Sequence, residues 1–361
     1  MKKTTNSKFV AVIAALFLFP SVAFTQIFDA DFLKGGVDNG MKIFESYLSP
    51  WARAFGAGLN GGWYNTAKPH KFGGFDITVT ASVAMIPDNA NTFDLNTLGL
   101  ENIRFANPNE TIAPTAAGSK GSGPGMIYYE TIAGSDVDLA TFYSPAGNNT
   151  SFIPVPMIQA GVGLPLGSEI SFRFTPTIPI LDGEFGMWGL GLKHSIMQYL
   201  PGDKILPLDV TLFGAFTKLG GNTPIEVLPT SYDNYTAAYN SPEAFAGQEV
   251  SASVSSWNIG VLGSFSLPII TFYGGLGYAS SRTLIEILGD IPTPEGDPGT
   301  MSAIYTDSGV LSNIEGVDIQ DFSGLRANVG LRFKFAVFTI HADYTRAEYN
   351  VFSTGLGVSF R

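Results

Sequence analysis

Stretches in which every second residue is apolar recur along this chain, and they restrict its fold more than any other feature. Phe75, Ile77, Val79, Ala81, Val83 and Met85 fall on one side of an extended segment, and Asp76, Thr78, Thr80 and Ser82 on the other. Ile170, Phe172 and Phe174 alternate with Glu169, Ser171, Arg173 and Thr175; Trp257, Ile259, Val261, Phe265 and Leu267 alternate with Ser256, Asn258, Ser264 and Ser266. Leu325, Ala327, Val329, Leu331, Phe333 and Phe335 alternate with Arg326, Asn328, Arg332 and Lys334, and Phe352, Leu356, Val358 and Phe360 with Ser353, Ser359 and Arg361. Leu208, Val210, Leu212 and Phe216 obey the same rule, with Phe213 intruding on the polar side. A period of two is the signature of a strand that is apolar on one face only. Each run is about the 9–11 residues that a tilted strand needs to cross a bilayer.

The N-terminus reads as an export address. Lys2, Lys3 and Lys8 precede an apolar run from Phe9 to Phe19, which Pro20 and the small residues Ser21, Ala23 and Thr25 close. This is the layout of a secretory signal peptide covering residues 1–25, with cleavage after Ala23 or before Gln26. The run falls short of the ~20 residues of a membrane-spanning helix. No later apolar stretch of that length exists, so the expected fold is all-β: an antiparallel transmembrane β-barrel, lipid-facing outside and polar inside.

Composition agrees. Charged residues make up 14% of the chain, against about 25% in a typical soluble domain, and mean hydropathy is positive. The net charge of −11 argues against a nucleic-acid partner, which requires a basic surface. With no cysteine, disulfides, thiolate nucleophiles and a lipidated N-terminal cysteine are excluded.

Bacterial barrels have an even number of strands, short periplasmic turns and long outer loops. Counting back from the last strand puts 220–248 and 287–320 outside and the turns near 165–168, 267–269 and 334–337 in the periplasm. From the other end, residues 52–63 read as an outward strand and 72–86 as an inward one. Segments 98–106, 126–133 and 138–144 then supply one or three more, for 12 strands or 14, with 14 favoured. The barrel occupies residues 51–361. Ahead of it, at 26–50, Leu33, Val37, Met41, Phe44 and Leu48 have helical spacing and Pro50 follows as a stop. This helix is expected as a lumen plug or a lid at the periplasmic mouth. Lys193 to Leu200 reads as a short periplasmic helix.

Candidate functional groups are few. Asp76, Arg173, Arg326, Arg332, Lys334, His341 and Asp343 are the charged side chains directed at the lumen. There they would either set an electric field for a permeating solute or pair to hold the interior and the plug together. Between residues 219 and 325 twelve acids face the single base Arg282, a composition that makes divalent cations candidate partners of the outer loops. No calcium-loop spacing accompanies the acids, so no metal site and no cofactor is assigned. His194 beside Ser195, and His341 two residues from Asp343, do not make a triad by adjacency. With no nucleophile elbow present, an enzyme is not expected.

Three segments carry a resemblance. Ser49-Pro50-Trp51 through Gly61-Gly62-Trp63-Tyr64-Asn65-Thr66-Ala67-Lys68-Pro69-His70, Pro156-Met157-Ile158-Gln159-Ala160-Gly161, and Trp188-Gly189-Leu190-Gly191-Leu192-Lys193-His194 are similar to a family of Bacteroidota outer-membrane proteins whose function is uncharacterised. That implies location and fold only. A looser likeness, resting on the helices at 33–48 and after Lys193, is to the 14-stranded long-chain fatty-acid transporters, whose Asn-Pro-Ala hatch is absent here.

The expectation is therefore a barrel in the outer membrane of a Gram-negative bacterium, in contact with lipid and lipopolysaccharide, that passes or binds a small hydrophobic solute. The alternatives are a non-transporting surface or scaffold barrel that docks partners through acidic loops, and a secreted soluble β-protein.

Overall fold

The computed structural model describes residues 30–180, 183–199, 207–297, 299–300 and 302–360; the signal-peptide segment lies outside them. Ten strands close into one antiparallel barrel. They are β1 (Phe75–Met85), β2 (Phe152–Leu164), β3 (Ser168–Ile180), β4 (Gly183–Ser195), β5 (Leu208–Pro224), β6 (Glu249–Ser266), β7 (Ile270–Pro292), β8 (Val310–Phe335), β9 (Phe338–Arg346) and β10 (Val351–Phe360). Consecutive strands pair, and β1 closes the ring by pairing β10 with Phe75 opposite Phe360. The Phe75 and Phe360 rings stack at 4.9 Å across this seam.

The period-two pattern sorts the wall as the alternation requires. Ile170, Phe172 and Phe174 point out and are exposed, while Glu169, Ser171 and Arg173 point in and are buried. Leu325, Val329 and Leu331 likewise alternate with buried Arg326, Asn328 and Arg332. The outer surface is thus an apolar belt, and much of the buried volume is polar. Among the described residues no helix is long and apolar enough to cross a membrane.

One end of the barrel carries the tight connections 165–167, 267–269 and 336–337. The other carries 86–151, 225–248 and 293–309. The loops assigned by parity to one side therefore do share one end. β7 and β8 run well beyond the length that spans a bilayer and project at this loop end.

The count of 12 or 14 strands is corrected to ten. The segments expected as further barrel strands form a separate three-stranded sheet, Ile103–Phe105, Gly125–Ile132 and Ser135–Tyr143, within a folded head above the loop end. β1 already pairs β2 and β10 on its two edges, so nothing can be inserted between them.

The strand expected at 52–63 is also corrected. A single helix α1 runs Val37–Leu59, through Pro50. An internal proline costs about 3 kcal/mol. Here the helix is held by burial of Phe44, Tyr47, Leu48, Trp51, Ala54 and Leu59 in the main apolar cluster. Past Trp51 most of its surface is covered: Ala52, Ala54, Gly56, Ala57, Gly58 and Leu59 are buried, while Arg53, paired with Glu348, and Phe55 stay partly exposed. A helix packed on most sides and built largely of Ala and Gly shows no clear 3.6-residue stripe, so its sequence signals it poorly. Because residues 52–63 are not a wall strand, the direction of β1 reverses from the expected inward to outward relative to the other strands. The expected helix after Lys193 reduces to one turn, Met197–Tyr199, since β4 continues to Ser195.

Candidate functional site

The chain between α1 and β1 passes through the barrel, and the inward-facing side chains of the wall hold it there. On β1 the sites it meets fall in strict order. A β-carbon added to Gly58 would touch Ala84, one on Gly61 would meet Ser82 Oγ at 2.7 Å, and one on Gly62 would meet Thr80. His70 then reaches Asp76, with Nδ1 3.7 Å from Oδ1. Residues 58–70 therefore descend the lumen antiparallel to β1, from the loop end to the turn end. Gly73, at φ +78°, reverses the chain into β1, and Gly74 N–H donates to Lys71 O at 2.8 Å. Only glycine adopts such a backbone without strain.

The C-terminus of α1 lies inside the barrel and has no basic residue in its last turn. Its unsatisfied carbonyls carry the negative end of the helix dipole. Two wall arginines meet them. Arg173 on β3 donates to Leu59 O (2.8 Å) and Gly61 O (3.1 Å), and Arg326 on β8 donates to Asn60 O (2.6 Å). Asn258 Nδ2 on β6 adds a bond to Asn60 Oδ1 at 3.0 Å. The Arg173 guanidinium also sits 3.8 Å from the Trp63 ring centre. Gly189 and Gly191 on β4 make the space for that ring, since a β-carbon at Gly191 would lie 2.9 Å from it.

Below this clamp Trp63, Tyr64 and Ala67 pack against Phe213, Ala215, Leu262 and Tyr273. Phe213, the residue that broke the polar face of its strand, is the wall's contact for both plug aromatics (5.1 Å to Tyr64, 6.3 Å to Trp63). Tyr64 Oη donates to Asn328 Oδ1 at 2.8 Å, and Gln159 Nε2 donates to Trp63 O at 3.0 Å. Lower still, Thr211 Oγ1 donates to Ala67 O, and Lys68 pairs with Asp209 at 3.6 Å.

At the turn end His70 completes the attachment. Its backbone N–H donates to Glu169 Oε2 (2.8 Å), its Nδ1 lies 2.7 Å from the same oxygen, and its Nε2 lies 3.2 Å from Ser359 Oγ. Lys193 pairs with the other Glu169 oxygen at 2.6 Å. His70, Asp76 and Glu169 have metal-compatible donors within 4.8 Å of one another. Glu169, however, is already held by Lys193 on one oxygen and His70 on the other, so the group is an ion-pair network rather than an open coordination site.

Of the charged residues marked for the lumen, Arg173, Arg326, Arg332, His341 and Asp343 are buried, and Asp76 and Lys334 are partly buried. Arg173 and Arg326 meet the plug directly, and Asp76 faces His70. Asp343 accepts from Tyr273 Oη (3.0 Å), and Lys334 donates to Ser359 O (3.1 Å). Arg332 and His341 are buried neighbours on β8 and β9. These residues are spread over the length of the lumen and do not form one catalytic cluster. Of the residues marked for the plug helix, Leu33, Phe44 and Leu48 are buried, and Val37 and Met41 pack against the same core. His194 bonds Ser168 Oγ at 2.8 Å and Tyr199, not its neighbour Ser195. Asn60, Trp63, Tyr64, His70, Gln159, Glu169, Lys193 and Asn258 were not marked as site residues. Glu169 and Asn258 stood on inward faces of the alternation, and Trp63–Tyr64 sat in an unusual glycine-flanked aromatic pair.

The upper half of α1 belongs to the head. Asn39 exchanges two hydrogen bonds with the Glu101 backbone (2.7 and 2.9 Å), Lys42 donates to Gly99 O (2.8 Å), and Tyr47 Oη donates to Ala146 O (2.9 Å). Burial pushes the Tyr47 hydroxyl up to about 12. Residues 30–36 pack beneath Tyr128 and Phe142 of the head sheet.

A profile of the family of unknown function DUF6588 matches residues 1–360. The chain belongs to that family. No curated protein matches this DUF6588 chain. Among solved structures it is similar to Ail, the attachment invasion locus protein of Yersinia pestis (8% identity, 80% of this chain and 98% of that one, TM-score 0.25). It is also similar to the translocator domain of the autotransporter NalP from Neisseria meningitidis (10%, 88% and 96%, TM-score 0.29) and to the outer membrane protease OmpT from Escherichia coli (8%, 80% and 97%, TM-score 0.31). These are all outer-membrane barrels, and at such scores the likeness carries no argument about the activity of the DUF6588 chain. The family match carries no taxon or transport assignment, and the ten-strand closure departs from the 14 strands of the fatty-acid transporters.

Proposed function

We propose that this protein is an outer-membrane barrel, closed by its own N-terminal segment, that presents a folded head at the cell surface. The observation that carries this reading is the occupied lumen. Residues 52–74 fill it from the loop end to the turn end, and they are fixed to the wall by Arg173, Arg326, Asn258 and Glu169. A ring of ten strands leaves more interior than its own side chains fill, and here the plug takes that space. The apolar belt supports embedding in lipid, since a contiguous apolar band that wide is unfavourable in water. Outer-membrane lipid and lipopolysaccharide are then its surroundings, with the acidic loop end facing outward. Purified protein in planar bilayers should be electrically silent, and its Arg173→Met/Arg326→Met variant should flicker open. Stable porin-sized conductance from the unaltered protein would sink the reading.

A second reading, gated passage of a small solute, rests on a separate observation. Thr217, Ser256 and Ser281 pair in register across β5, β6 and β7, all face inward, and their hydroxyls have no hydrogen-bond partner among the described residues. They form a band of buried hydroxyls on the wall beside the plug. Gly61→Cys/Ser82→Cys would tether plug to wall at a close approach. If solute uptake into liposomes is the same with the tether oxidised and reduced, passage does not depend on plug movement and this reading fails.

A further inference from the structure

The path of the N-terminal segment has a consequence for what the barrel displays. Residues that precede the first strand of a barrel ordinarily lie at the turn end, where β1 begins. Here they do not. β1 starts at the turn end, with Phe75 opposite Phe360 and Val162. Yet the preceding residues have already crossed the whole lumen: Gly73 N–H donates to Gly163 O at the turn end, whereas Gly58 contacts Val155 and Ala84 near the loop end. Further back along α1, Asn39 and Lys42 bond Glu101 and Gly99 in the head, and Gly35 lies against Phe142.

We infer that the barrel is a display device for its own N-terminal segment: residues 30–46 stand on the outer side of the membrane, delivered there through the lumen. This deepens the surface-presentation reading and rests on its orientation. The lumen contacts are graded for the purpose. Carbonyls at and just after the helix C-terminus are clamped by arginines, small residues in α1 let the helix enter, and the irregular segment below is bonded to the wall at Trp63, Tyr64, Ala67 and His70. α1 and the head then share one apolar core, so the displayed helix is a structural column of the head and not a loose tail.

The absence of cysteine makes the test direct. Single cysteines are placed at Asp38 and Glu45 on the exposed side of α1, at Lys71 at the turn end, and at Asn234 in the loop 225–248, all solvent-exposed positions. Intact cells carrying each variant are treated with a polyethylene-glycol maleimide too bulky for general porins, and a lysed sample gives full labelling. Gel shift on heating shows that each variant is folded. The expected result is labelling of Asp38→Cys, Glu45→Cys and Asn234→Cys in intact cells to the level seen after lysis, with Lys71→Cys labelled only after lysis. Labelling of Asn234→Cys but neither helix position overturns the display inference while leaving the orientation of the loops intact. Loss of intact-cell labelling at Asn234 as well overturns the orientation on which both readings stand.

Discussion

Arg173 stacks on Trp63 across the lumen, its guanidinium carbon 3.8 Å from the ring centre, while the same group donates to the carbonyls of Leu59 and Gly61. One fully buried cation thus joins the end of a helix, the turn after it and the first aromatic of the descending segment. A charge removed from water is costly unless it is compensated; Arg173 Nε has no partner among the described residues, and the dipole of α1 together with the indole face supplies what a carboxylate would elsewhere.

Replacing Arg173 should therefore loosen the plug without dissolving the barrel. Arg173→Met leaves two carbonyls without donors and should weaken plug docking by about 2–3 kcal/mol. Arg173→Lys should recover little of it, since an ammonium cannot bridge two carbonyls and lie flat on an indole at once. Near-UV circular dichroism during urea titration in detergent reads this: an early transition should appear in the variants, ahead of the main loss of β-structure. A single coincident transition at the native midpoint would show that Arg173 does not hold the plug.

The space under Trp63 gives an independent handle. Gly191 faces the ring so closely that even a methyl group must move it, and a branched side chain cannot fit. Gly191→Leu should expel Trp63, at a cost larger than the ~1–3 kcal/mol of ordinary overpacking because the ring has no other site. Gly191→Ala should be milder. Pairing Gly191→Leu with Trp63→Ala should relieve part of the loss. If the double variant is as unstable as the sum of the two single ones, the two positions are not in contact and the packing described is wrong.

These contacts show which parts of the molecule the sequence could announce. The wall was legible because each strand has one apolar and one polar face, and Asp76, Arg173, Arg326 and Asp343 fall on the side that the alternation demands. The plug beyond Trp51 was not legible, since six of the eight residues from Ala52 to Leu59 are buried, most of them Ala or Gly, and leave no clear period to reveal a helix. The head strands were misassigned for a related reason. Ile132, Val137 and Leu139 form a small core of their own, and Met126 and Phe142 join that of α1. Apolar positions that pack in a head look, in sequence, like positions that face lipid. Phe213 was the one direct trace of the plug, an aromatic on an otherwise polar face, and it proves to be where Trp63 and Tyr64 rest.

The join between helix and head should respond to alkaline pH. Tyr47 donates to Ala146 O and its hydroxyl is pushed from 10.0 up to about 12 by burial. A group whose folded value is raised gives stability that is intact below its unfolded value and is lost as pH climbs through the folded one. Head docking should therefore be constant up to about pH 10 and weaken between pH 10 and 12, by on the order of 2 kcal/mol. Tyr47→Phe should start about 1 kcal/mol weaker, from the lost hydrogen bond, and show less dependence over the same interval. Amide hydrogen exchange in residues 86–151 follows the change. Equal pH profiles for both proteins would remove Tyr47 from the account.

The apolar belt separates a lipid-embedded barrel from a water-soluble one most sharply at Val329, which is 68% exposed and flanked by the buried Asn328. On a soluble barrel, arginine at so open a site should be close to neutral, within about 0.5 kcal/mol. In a bilayer the same side chain faces hydrocarbon and costs about 2–4 kcal/mol near the midplane, falling toward the interfaces. Val329→Arg should accordingly reduce the folded, heat-modifiable fraction in lipid vesicles, while a Val329→Leu control stays at the native level. Because Leu325 lies four residues along the same outward face of β8, Leu325→Arg should show the effect scaled by its depth. Folding of both arginine variants at native yield into vesicles would mean that this face does not meet lipid, and the membrane-spanning reading would fall with it.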